Sequence, residues 1–179
     1  RWIACATSDR PIRWAFVGRI VLYPVDGGEP RPLAYTSDGQ SSLIGWSEDG
    51  QEVYAWESSG VTSQIWALPV TGEPGRPITD DERLKTLPAI NRRGQIAFVG
   101  QDFHEPNAVY LLDPAAGETS CIARPAMPED WPDAPLPRAE VIRWKAPDGL
   151  EIEGILIYPL DYEPGRRYPL ILEIHGGPA

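Results

Sequence analysis

The chain has 179 residues, 42% hydrophobic and 23% charged, with 20 prolines and 17 glycines, which is too apolar for a disordered chain and long enough for one ordinary core. Acidic residues number 26 against 16 basic ones, and the net charge of −10, with no basic cluster to offset it, excludes nucleic acid as a partner. No stretch approaches the roughly 20 apolar residues of a membrane-spanning helix, so no membrane partner is expected.

Taken from the amino terminus, the first signal is a repeat. One apolar pattern begins at Arg19 (Arg19-Ile20-Val21-Leu22-Tyr23-Pro24), again at Gln64 (Gln64-Ile65-Trp66-Ala67-Leu68-Pro69) and again at Ala108 (Ala108-Val109-Tyr110-Leu111-Leu112-Asp113), 45 and 44 residues apart. Each copy leads into a polar turn, Asp26-Gly27-Gly28, Thr71-Gly72-Glu73 or Ala116-Gly117-Glu118. A short strand-like close follows at Arg31–Ala34, Arg76–Thr79 and Ser120–Ala123. Ahead of the second and third copies a further turn repeats, Ser47-Glu48-Asp49-Gly50 and Asn91-Arg92-Arg93-Gly94, each running into a strand, Val53-Tyr54-Ala55-Trp56 and Ile96-Ala97-Phe98-Val99. Trp14-Ala15-Phe16-Val17 is expected in the same slot of the first copy. Four short strands per period, with no amphipathic helical window between them, is the spacing of a β-propeller blade. Residues 1–122 are therefore expected to form a partial propeller of about two to three blades, with Trp46 and Trp66 as core residues packing one sheet on the next.

The motif Trp46-Ser47-Glu48-Asp49-Gly50, followed by a strand and by Gln64-Ile65-Trp66, resembles the repeat of the TolB-like and prolyl-oligopeptidase-like propellers, with Glu48 where the commonest form has Pro. Cys5 and Cys121 are far apart, with no metal-ligand spacing, and read as small buried apolar residues. Their spacing leaves a disulfide open, and with it the compartment; the cytoplasm is the working expectation. His104 reads as a solvated loop histidine, and Glu48-Asp49 and Asp80-Asp81-Glu82 as hydrophilic turns.

Five prolines between Cys121 and Glu140 (Pro125, Pro128, Pro132, Pro135 and Pro137) fix φ and delete N–H donors, so residues 123–139 read as a linker between domains. After it, Val141–Lys145 and Leu150–Tyr158 read as two strands around Ala146-Pro147-Asp148-Gly149, where Asp-Gly is a strong hairpin signal. Tyr168-Pro169-Leu170-Ile171-Leu172-Glu173-Ile174 is a nearly continuous apolar run, as in a strand buried on both faces. His175-Gly176-Gly177-Pro178 follows at once, the place where an α/β-hydrolase carries an oxyanion-hole loop.

The segment from Val141 to Pro178 closely resembles the opening of the catalytic domain in the prolyl oligopeptidase family of serine peptidases, above all its acylaminoacyl-peptidase and bacterial dipeptidyl-peptidase branch. The expected fold is thus mostly β, a partial propeller followed at residues 140–179 by the first strands of an α/β-hydrolase domain. The resemblance implies hydrolysis of short peptides by a Ser-His-Asp triad. No G-x-S-x-G elbow is present, and Ser59-Gly60 lies in a propeller hairpin, so the triad is expected beyond this chain. With Met127 the only methionine, the chain reads as an internal piece whose partners include the rest of the same polypeptide. What it would supply is the backbone N–H of Gly177 as an oxyanion donor, with Gly176 and His175 shaping the loop. The competing reading makes the two glycines turn formers only. No cofactor or metal is expected, and homo-oligomerisation is left open. Two other functions stand against the peptidase: a non-catalytic TolB-like binding module, which leaves the hydrolase opening unexplained, and an α/β-hydrolase esterase, which usually lacks a preceding propeller.

Overall fold

The computed structural model describes residues 1–8, 11, 18–37, 39–129 and 136–174. Among them the regular structure is all β, thirteen strands in four antiparallel sheets, none closed on itself, and no helix. Two units are distinguished, Arg1–Pro128 and Glu129–Ala179.

The first unit holds three sheets. The first is β1 (Trp2–Ser8), β2 (Gly18–Pro24) and β3 (Arg31–Pro32); the second is β4 (Ser42–Trp46), β5 (Glu52–Ser59), β6 (Thr62–Pro69) and β7 (Arg76–Pro77). The third is β8 (Leu84–Ile90), β9 (Ile96–Gln101), β10 (Ala108–Asp113) and β11 (Glu118–Ala123). Every strand pairs with its neighbour in sequence, a meander repeated at the period of the apolar pattern. In the first sheet the strand paired with β2 is Trp2–Ser8, in register from Trp2 opposite Pro24 to Ser8 opposite Gly18. Trp14-Ala15-Phe16-Val17, expected beside β2, lies outside the described residues.

The core shows why β5 is apolar without alternation. Tyr54, Ile65 and Ala67 face Ile96, Phe98, Tyr110 and Leu112 of the third sheet. Val53, Ala55 and Leu68 face Ile20, Leu22 and Leu33 on the other side. A sheet covered on both faces buries successive residues, whereas β9 and β10, covered on one, alternate. Trp46 and Trp66 pack at the border of the second of these clusters, joining first sheet to second.

The repeated turns have one geometry. The Gly50 N–H donates to the Ser47 carbonyl at 3.0 Å and the Gly94 N–H to that of Asn91 at 3.1 Å. Gly94 sits at φ 74°, and a Cβ there would stand 3.3 Å from the Glu48 nitrogen, so the two turns lie against each other and glycine is required twice over. β3 and β7 stop after two residues because Pro32 and Pro77 donate nothing to a ladder, a tolerable loss only at an edge. Beyond each proline the next N–H returns to the sheet, Leu33 to the Ile20 carbonyl and Ile78 to that of Ile65.

Both cysteines are free thiols, Cys5 half-buried and Cys121 exposed, against the expectation that both are buried. Cys121 is exposed because all of β11 is: the strand forms an edge of its sheet with nothing packed on it among the described residues.

The second unit contains β12 (Ala139–Lys145) and β13 (Glu151–Ile157), paired from Ala139 opposite Ile157 to Lys145 opposite Glu151. Gly149, at φ 89°, closes the turn with its N–H on the Ala146 carbonyl at 2.9 Å. The apolar run at 168–174 differs from expectation: its described residues form no strand, and Leu170, Ile171, Leu172 and Ile174 are 79, 90, 76 and 81% exposed. A doubly buried strand needs a ladder partner and a cover on each face, and the described residues of this unit offer only a two-stranded hairpin.

Candidate functional site

The three residues singled out as a candidate oxyanion loop, His175, Gly176 and Gly177, lie outside the described residues. The chain leading to them is described, and it is organised by tyrosines. At the hairpin's open end Glu140 accepts hydrogen bonds from the Tyr158 hydroxyl and from Arg138 Nη2, while the Arg138 guanidinium lies 4.6 Å above the Tyr158 ring. The hydrogen bonds from Tyr158 first and Arg138 second hold the Glu140 carboxyl below the usual range, and the bond to Glu140 pushes the Tyr158 hydroxyl up. Tyr158 packs on Tyr162 at 4.5 Å between ring centres and Tyr162 on Tyr168 at 5.6 Å. The Tyr168 hydroxyl then accepts the Glu163 N–H at 2.9 Å and donates to the Asp161 carbonyl at 3.0 Å. The loop between β13 and the apolar run is thereby fastened to the hairpin, which fixes where residue 169 leaves it.

The first unit carries a buried polar network that pattern reading missed. Lys85 on β8 is fully buried. Its Nζ donates to the Asp81 carboxylate and the Ser63 carbonyl, each at 2.9 Å, and to the Arg83 carbonyl at 3.1 Å. Its backbone is held as firmly: the Lys85 N–H donates to Ser63 Oγ, and its carbonyl accepts Ser63 Oγ and, at 2.7 Å, Trp56 Nε1. Burial pushes the ammonium's pKa down, against the pull of Asp81. Asp81 is therefore no mere hydrophilic turn residue but the counter-ion of a buried cation. Glu57 is also buried, accepting hydrogen bonds from Thr36 and Ser37. His104 is exposed, as expected, its N–H on Asp102 Oδ1 at 2.8 Å.

A groove of about 610 Å³ opens between the first and second sheets, walled by Thr7, Ser8, Gln40, Ser41, Ser42 and Trp56 among others. Its described lining offers hydroxyls, an amide and an indole, groups that hydrogen-bond a ligand. Among the described residues no group of three or more His, Cys, Asp or Glu could hold a metal ion. Ser59-Gly60 forms the tight β5–β6 hairpin, with Gly60 at φ 58°, a strand-to-strand turn unlike the strand-to-helix turn of a nucleophile elbow.

No family model matches the chain. It is 22% identical to dipeptidyl-peptidase 5 of Porphyromonas gingivalis over 177 residues, which are 98% of this chain and 25% of that protein. Among solved structures, the AtxE2 isopeptidase with Astexin3-dC4 bound superposes with a TM-score of 0.74 at 17% identity, over 94% of this chain and 26% of that one. The apo form of that isopeptidase gives a TM-score of 0.73 at 18% identity, with the same coverage. A prolyl endopeptidase gives 0.56 at 15% identity, over 89% of this chain and 25% of that one. The chain therefore shares its fold with peptidases and spans about a quarter of the length of each.

Proposed function

We propose that the chain acts as part of a serine peptidase of the prolyl oligopeptidase kind that hydrolyses short peptides. In this reading residues 1–122 are two to three propeller blades restricting access to the active site, 123–139 the linker and 140–179 the opening of the catalytic domain. The Ser-His-Asp triad belongs to other parts of the same polypeptide. The observation that carries the reading is the likeness to a dipeptidyl-peptidase along 98% of the chain, through the strand repeat and the hairpin alike. Gly177 supplies one N–H to the tetrahedral oxygen, and Gly176 and His175 shape the turn.

The test uses the complete natural protein and a fluorophosphonate probe. The complete protein is expected to be labelled at one serine and to cleave short peptides, whereas residues 1–179 alone stay unlabelled because they hold no nucleophile elbow. Gly177→Pro, which removes the N–H, should lower kcat about 100- to 1,000-fold in a protein that still folds. Gly177→Ala keeps the donor and controls for backbone restriction. Labelling within residues 1–179, or a folded Gly177→Pro enzyme of normal kcat, would refute the assignment.

A further inference from the structure

Leu87 combines two features that folding alone disfavours. It is the one non-glycine residue at positive φ among the described residues, at 51°, and its side chain is 80% exposed. Left-handed backbone is strained for a residue with a branched side chain, and Asn or Gly would relieve it. The strain is placed in a β-bulge: Thr86 pairs with Val99 and Ala89 with Ala97, so Leu87 and Pro88 together stand opposite Phe98 alone. Bulges re-aim side chains. Here the residue thrust out is a large apolar one on β8, the edge strand of its sheet.

The surroundings do not relax that strain. Two residues away, the Lys85 ammonium and main chain are bound by Asp81, Ser63 and Trp56, so the strand entering the bulge cannot shift register to pull Leu87 in. Trp56, which donates to the Lys85 carbonyl, also walls the groove between first and second sheets, so one side chain links the groove to β8. Pro88 has no N–H and the ladder is broken beside it, so this edge is a poor template for an added strand. What remains is burial of one apolar side chain against another.

Resting on the peptidase reading above, we propose that Leu87 is a specificity-determining residue, held out by the bulge to take an apolar side chain of the bound peptide. The complete protein, wild type and Leu87→Asn, is assayed against a peptide library varied one position at a time. Asn accepts positive φ, so the melting temperature should hold or rise. For peptides apolar at one position KM should rise about tenfold with kcat unchanged, while peptides polar at that position are unaffected. Equal KM profiles for the two proteins overturn the inference and leave the peptidase reading standing. If the wild type neither hydrolyses any peptide nor reacts with a fluorophosphonate, the reading falls and the inference with it. A melting temperature lowered by several degrees, or a change in oligomeric state on size exclusion, would place Leu87 against the protein itself or a second copy and also overturn the inference.

Discussion

Lys85 illustrates how a charge is made tolerable inside a sheet stack. Its ammonium is out of contact with water, yet Asp81 and the carbonyls of Ser63 and Arg83 accept its protons. Truncation to Ala leaves both a void and a carboxylate without its cation. Lys85→Ala is expected to cost about 2–4 kcal/mol in denaturant unfolding, and Lys85→Met, which keeps the stem, less. The pH dependence has a definite sign. Because the folded pKa is depressed below the ordinary 10.5, the unfolded chain binds more protons between those two values, so this group's contribution to stability grows as pH rises toward 10.5. The gap between wild type and Lys85→Met should widen over that window, and a gap independent of pH would show that the ammonium titrates alike in both states. Nothing in the local pattern around Leu84–Ile90 announces this lysine, since its main partner, Ser63, lies 22 residues away. An isolated lysine beside three acids reads from sequence as solvated.

At the scale of elements, the sheets are held at a distance set by small residues. Gly45 in β4 is the sharpest instance: a Cβ there would fall 2.7 Å from Ile90 Cγ2 of β8, closer than atoms approach. No positive φ is involved, so the constraint is packing between two sheets. Gly45→Ala should destabilise by about 1–3 kcal/mol, and in a double-mutant cycle Ile90→Ala should recover part of the loss. Additive effects of the two changes would show that the sheets separate instead. The turns were legible because their cause is local: a glycine at positive φ and a side-chain cap, as where Asn91 Oδ1 accepts the N–H groups of Arg93 and Gln95. The β12–β13 hairpin was legible for the same reason. The pairing of β1 was not, because it is decided by a register of seven residues matched across the ladder rather than by a local pattern. Leu87 was equally hidden, since a bulge depends on what stands across the ladder.

At the scale of the molecule, the apolar run ending at Ile174 is the largest departure from ordinary surface chemistry. Four of its side chains are more than three-quarters exposed, contiguous and without charge apart from Glu173. The chain of residues 1–179 taken alone is expected to bind a hydrophobic dye and to associate with rising concentration, and Ile171→Lys should suppress both. A monomeric chain with no dye binding would mean that the run is covered. The run's apolar character was legible in the sequence; its exposure among the described residues was not, because a pattern tells how many faces a strand wants buried and not what buries them. The meander also has a consequence in time. With every ladder among the described residues joining strands that are neighbours along the chain, each sheet can zip as soon as its own 40-odd residues are available. Synthesis from the amino terminus would complete the first sheet before the second has emerged, so the slow events fall between sheets, when faces such as Val53 and Ala55 meet Leu22 and Leu33, rather than within them.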